Sequence, residues 1–167
     1  LELLQALGKQ VGTGLENLRH YAELRASSER ALILNRLTAT LAASMDMKVV
    51  VPAFAGELRQ LLPFDRLACG YVNDSGDYIE LVTDPPESTW GLGNVMPVVG
   101  SGPGHVVLNS APVLQRDLLH EHRFIEDMRL LEEGIRSYVL LPLNARGRSI
   151  GVVALASLES ATFDEAS

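Results

Sequence analysis

Apolar residues near the start of the chain recur every three or four positions. Leu4, Leu7, Val11, Leu15, Leu18 and Tyr21 form one stripe, which predicts a helix from residue 1 to about residue 25. Gly8, Gly12 and Gly14 each weaken an isolated helix by roughly 1 kcal/mol relative to alanine, and they make sense where a neighbour packs very close. The polar run Arg25–Arg30 interrupts the stripe, which resumes at Ala31, Leu34, Leu37 and Leu41. This reads as one long helix, or as two helices hinged near Ser27–Ser28. An apolar stripe with no partner in its own chain fits a parallel dimer, with Leu4, Leu7, Val11, Leu18, Leu34, Leu37 and Leu41 as the seam. The competing reading folds the same stripe back onto its own domain.

A second helix is expected over Met47–Leu62. Asp46 is its N-cap, Pro52 sits in its first turn, and Pro63 ends it. The period then changes to two. Leu67, Cys69 and Tyr71 alternate with Ala68, Gly70 and Val72, and the turn cluster Asn73–Asp77 leads into a partner strand, Tyr78–Thr83. A Pro- and Gly-rich loop, Asp84–Gly93, carries the single tryptophan, Trp90. Val95–Val98 suggests a short strand. Gly100–Gly104 is a glycine-rich turn into a short helix, His105–Asn109, and Pro112–Gln115 is a short extended piece. Leu118–Glu133 reads as a helix closed by Gly134. Ile135–Leu143 and Ser149–Ser157 are apolar strands joined by the turn Asn144–Arg148, and a final helix begins at Phe163. Hairpins imply antiparallel pairing, and helices before and after the strands must cover them, giving an α+β layered domain.

Composition narrows the function classes. The 167 residues suit one domain plus an extra segment. A formal net charge of −7 is the opposite of the basic footprint that nucleic acid or an anionic membrane would need. No apolar run approaches the roughly 20 residues of a membrane span. The one cysteine, Cys69, cannot form an internal disulfide and fits a reducing, cytoplasmic setting. The chain opens at Leu1 and stops where a final helix should start, so a piece of a larger protein is the expectation.

Five segments resemble the GAF family of sensor domains. They are Phe64-Asp65-Arg66-Leu67, then Gly102–Val107 with Ala111–Leu114, then Arg116-Asp117, then Ile135–Leu143, and last Gly147–Leu155. The resemblance covers about residues 30–167. It implies a GAF/PAS-like antiparallel sheet with helices on one face and an irregular helix-loop segment on the other, preceded by a long helix. The residues from Leu3 to Tyr21 are similar to the closing helix of another GAF domain. The implied division is residues 1–40 as a signalling helix and residues 41–167 as a GAF domain with its closing helix truncated.

The resemblance also implies a small-molecule pocket between the sheet and the irregular segment. By position its lining would draw on Cys69, Tyr71, Trp90, His105, Arg123, Phe124, Met128 and Tyr138, and each could equally be plain core. His105, at a helix start, could meet haem or an anion, or be an ordinary partly exposed histidine. His120 and His122 lie two apart, which on a helix points them about 200° from each other and disfavours a shared metal. Cys69 could carry a bilin or sense redox, but a mid-strand apolar site favours a small buried hydrophobe. GAF-like methionine sulfoxide reductases rely on several cysteines, and this chain has one. Phe163-Asp164-Glu165 is similar to the end of a cyclic-nucleotide set whose Asn-Lys part is not evident. No nucleophile–base pair, phosphate loop or metal cluster stands out.

The expected function is therefore regulatory and not enzymatic: a cytoplasmic, homodimeric sensory domain that binds a small molecule of unknown identity, or relays a signal through dimer helices to an output domain in the same parent chain. A sensor histidine kinase of a two-component system is the first expectation for that parent. The alternative is a ligand-free relay in a transcriptional activator or cyclase. An interior filled by Trp90, Phe124 and Met128 would favour the relay, whereas an open cavity lined by Tyr71, His105 and Arg123 would favour sensing.

Overall fold

The structure, a computed structural model, describes residues 46–145 and 147–163. The proposed seam (Leu4, Leu7, Val11, Leu18, Leu34, Leu37, Leu41), the division at residue 40, and the closing helix beyond Phe163 lie outside the described residues.

Helix α1, Met47–Leu58, starts where Asp46 accepts a hydrogen bond from the Lys48 amide at 2.9 Å. Val50, Val51 and Ala55 form its buried stripe. It is shorter than the expected Met47–Leu62, because Arg59 caps it and the chain continues through single turns to Leu62. Pro52 is not in the first turn but is the sixth helical residue, on the exposed side, so the helix lacks one amide donor there.

The strands are β1 (Arg66–Val72), β2 (Tyr78–Asp84), β3 (Val95–Pro97), β4 (Val113–Gln115), β5 (Ser137–Ala145) and β6 (Arg148–Ser157). They make one six-stranded sheet in the order β3-β2-β1-β6-β5-β4, with every neighbouring pair antiparallel. Both expected hairpins form. Asn73 holds the β1–β2 turn by accepting from the Asp77 and Tyr78 amides.

Helix α2, Gly102–Asn109, begins three residues before the expected His105. The Ser101 hydroxyl accepts from the Gly104 amide at 3.1 Å and sets that earlier start. Gly104 lies so close to the Val98 carbonyl that a Cβ has no room. The expected helix Leu118–Glu133 is corrected to a short α3, Asp127–Glu132. The cause is local competition by side chains. Asp117 takes the Leu119 amide at 3.0 Å, and Asp127 takes the amides of Arg123 and Phe124 at 2.6 and 2.9 Å, so these groups serve a folded loop instead of a helical ladder.

Strand alternation then builds two cores. On one face Leu67, Cys69, Val153 and Leu155 pack with Val51, Ala55, Phe64 and Phe163. On the other, Ala68, Ile79, Leu81, Tyr138, Leu140, Val152, Ala154 and Ala156 pack with Trp90, Val106, Leu118 and Leu130 from the irregular segment and α2. The fold is α+β, with a helix on one face of the sheet and the irregular helix-loop segment on the other.

Candidate functional site

The irregular segment meets the sheet around two aromatic rings. Trp90 and Tyr138 are fully buried and stack edge to face, with centroids 5.8 Å apart and planes at 70°. The Tyr138 hydroxyl donates to Asp127 Oδ1 at 2.8 Å. Asp127 Oδ2 meanwhile accepts the Arg123 and Phe124 amides. One buried carboxylate thus ties β5, α3 and the loop before α3 together. Burial is the largest cause raising the Tyr138 hydroxyl pKa, and the Asp127 carboxylate beside it adds to the rise.

Glu126, also fully buried, does a related job at α2. Its Oε1 accepts the Gly102 amide at 2.8 Å, at the first residue of that helix. Among the described residues its Oε2 has no hydrogen-bond partner, and neither does the Trp90 indole Nε1. Burial pushes the Glu126 carboxyl up to about 7, against the opposing pull of its own backbone amide and that of Gly102. The carboxyl is thus held against the first amide of α2 in a setting where burial favours its neutral form.

The candidate residues divide. Trp90, Tyr138, Phe124, His105 and Arg123 gather on this side: the Phe124 ring lies 5.5 Å from His105, and the Arg123 guanidinium carbon lies 5.4 Å from the Phe124 centroid. Met128 projects from α3 to solvent. Cys69 and Tyr71 belong to the opposite face. Cys69 packs against Leu67 and Val153 under α1, where burial pushes its thiol up to about 12 and keeps it protonated. Tyr71 is 45 % exposed, and its hydroxyl donates to Glu80 at 3.0 Å. That hydrogen bond is the first cause raising its pKa. Neither sequence discriminator assembles whole: Trp90 and Phe124 fill the interior without Met128, and Tyr71 does not join His105 and Arg123.

Sequence reasoning missed Glu126 and Asp127. Their signal was two adjacent acids inside the apolar frame Phe124-Ile125…Met128, a placement that needs buried partners. The His120-Glu121-His122 stretch is not helical, which corrects the premise applied to it. His120 Nδ1 lies 3.0 Å from Asp117 Oδ2, and Asp117 also binds Arg136. The Leu119 amide is the largest cause lowering the Asp117 pKa, followed by these partners. Among the described residues no group of three metal-binding side chains comes together. No described helix is long and apolar enough to cross a membrane.

The model of the GAF domain family matches residues 46–167. No curated protein matches the chain. Among solved structures, the free methionine-R-sulfoxide reductase of Neisseria meningitidis, in complex with its substrate, is similar at TM-score 0.65 and 20 % identity, over 84 % of this chain and 80 % of that one. The GAF domain of a phosphoenolpyruvate-protein phosphotransferase from Coxiella burnetii is similar at TM-score 0.63 and 20 % identity, over 81 % of each chain. The GAF domain of a two-component sensor histidine kinase from Bacillus halodurans has TM-score 0.59 and 18 % identity, over 70 % of this chain and 79 % of that one. At these identities the likeness concerns the fold alone.

Proposed function

The chain belongs to the GAF domain family, and on that premise we propose that it is a regulatory sensory domain whose responsive part is the segment packed on the Trp90–Tyr138 face. The observation that carries this reading is Glu126. A fully buried acid joins the irregular segment to the first amide of α2, and its other oxygen has no hydrogen-bond partner among the described residues. A ligand or a strain that strengthens or breaks this contact would shift α2 against the sheet. The response passes to an output domain of the same parent chain through paired N-terminal helices, with a sensor histidine kinase as the first candidate parent.

A second reading is a ligand-free relay in a transcriptional activator or cyclase. Trp90 and Tyr138 favour it, because both are fully buried and occupy the interior themselves. Native mass spectrometry of the purified chain separates the two. A dimer carrying extra mass supports sensing, and a bare dimer supports the relay. A monomer contradicts transmission through paired helices in either form. In a dimer, Leu18→Asp or Leu37→Asp should shift elution to the monomer position, and unchanged elution would reject the seam.

A further inference from the structure

A separate cavity of about 530 Å³ lies beside the Trp90–Tyr138 core, between the β1–β2 turn, the C-terminal half of α2 and the start of β6. Val72, Val98, Val107, Leu108 and Ile150 supply its apolar walls. Two of these keep substantial apolar surface in water: Leu108 is 67 % exposed and Ile150 is 43 % exposed. One cation lines the same cavity. The Arg148 side chain makes no ion pair or hydrogen bond with any described residue, although the protein carries a net charge of −7. Asn73 and Ser149 on the polar rim are already committed within the protein. Asn73 donates to Ser75 Oγ at 2.9 Å and accepts from two amides, while Ser149 Oγ donates to the Gly151 carbonyl at 3.2 Å. The rim is therefore fixed in shape, and the guanidinium is the lining group with donors to spare.

From this we infer that the cavity is a binding site for an amphipathic monocarboxylate, its carboxylate on Arg148 and its aliphatic body against Val107, Leu108 and Ile150. A guanidinium matches a carboxylate with two parallel donors. Exposed apolar walls gain from covering by hydrocarbon. Asp74 on the same rim opposes negative charge on the ligand, which limits it to the single carboxylate that Arg148 can offset. The cavity is of the size that small-molecule sites occupy, a few hundred Å³, and its fixed rim lowers the ordering cost of binding. The inference deepens the sensory reading by naming a ligand class and a place for it.

The test uses the chain itself, with octanoate as the probe and octanamide as its neutral counterpart. Amide shifts in two-dimensional NMR and titration calorimetry supply the readouts. Octanoate should move the amides of Asp74, Leu108 and Arg148. Octanamide should bind about tenfold or more weakly, the equivalent of one charge-assisted contact. Arg148→Gln should weaken octanoate by a similar factor and leave octanamide unchanged, while Arg148→Lys should restore part of the loss. Leu108→Glu should weaken both ligands. No movement of these amides at millimolar octanoate, or equal octanoate affinity in the wild type and Arg148→Gln, would overturn the site. Because binding is read on the chain alone, a site that binds octanoate without changing the dimer or any fused output would leave the site standing and count against the regulatory reading only.

Discussion

The two faces of the sheet are built by different means. Under α1, aliphatic side chains from both layers interlock: Val51 and Ala55 sit over Leu67, Val153 and Leu155. Burial of this kind is non-directional, and a side chain of similar volume serves almost as well. On the opposite face the apolar packing is pinned by polar groups with strict geometry. Asp127 receives three hydrogen bonds, Glu126 receives one, and the Ser101 hydroxyl caps α2 and donates to the Pro97 carbonyl. Buried polar contacts are costly to leave unmade. One face therefore supplies a tolerant foundation, and the other supplies an arrangement that a single proton or contact can shift.

The sharpest contrast comes from Asp127. Asp127→Ala strands the Tyr138 hydroxyl and the amides of Arg123 and Phe124, and should cost about 3–5 kcal/mol in chemical denaturation. A loss under about 1 kcal/mol would mean that water satisfies those groups and that the Asp127 tie is dispensable.

Glu126 should give the next largest effect, through pH. Its carboxyl titrates near 4.5 when free and near 7 in the fold. Between those values the folded state keeps a proton that the unfolded state has released, so stability falls as pH rises. The contribution is fully present below pH 4.5 and is lost as pH climbs through 7, a difference of roughly 3 kcal/mol. Glu126→Gln, which is neutral throughout, should flatten the stability profile across that window.

The smallest effect belongs to the α1 face. Leu155→Met preserves volume in a site only 2 % exposed and should cost less than about 1.5 kcal/mol. A loss equal to that of Asp127→Ala would erase the distinction between the faces.

The same contrast explains what the sequence revealed. Strand β1 was legible from period-two alternation and β5 and β6 from their apolar runs, and the turn residues around Asn73 and Gly147 agree with the final pairing of both hairpins. The segment before α3 was not. The apolar spacing from Leu118 onward resembles a helix, and what overrides it is capture of backbone amides by Asp117 and Asp127, which spacing does not record. The candidate site was half legible for a related reason. Alternation places Cys69 and Tyr71 on one side of β1, but does not say which side the irregular segment covers. Glu126 entered no motif, because its role depends on the Gly102 amide 24 residues away.

The most direct measurement is hydrogen exchange, resolved by residue and corrected for intrinsic rates, at pH 5 and pH 8. If the Glu126 contact is the responsive joint, the amides of α2 around Gly102–His105 should lose protection at pH 8 while those of Val51–Ala55 in α1 keep theirs, and Glu126→Gln should abolish the difference. Equal loss on both faces, or an unchanged α2 across that range, would contradict the assignment of the responsive region to this side of the sheet.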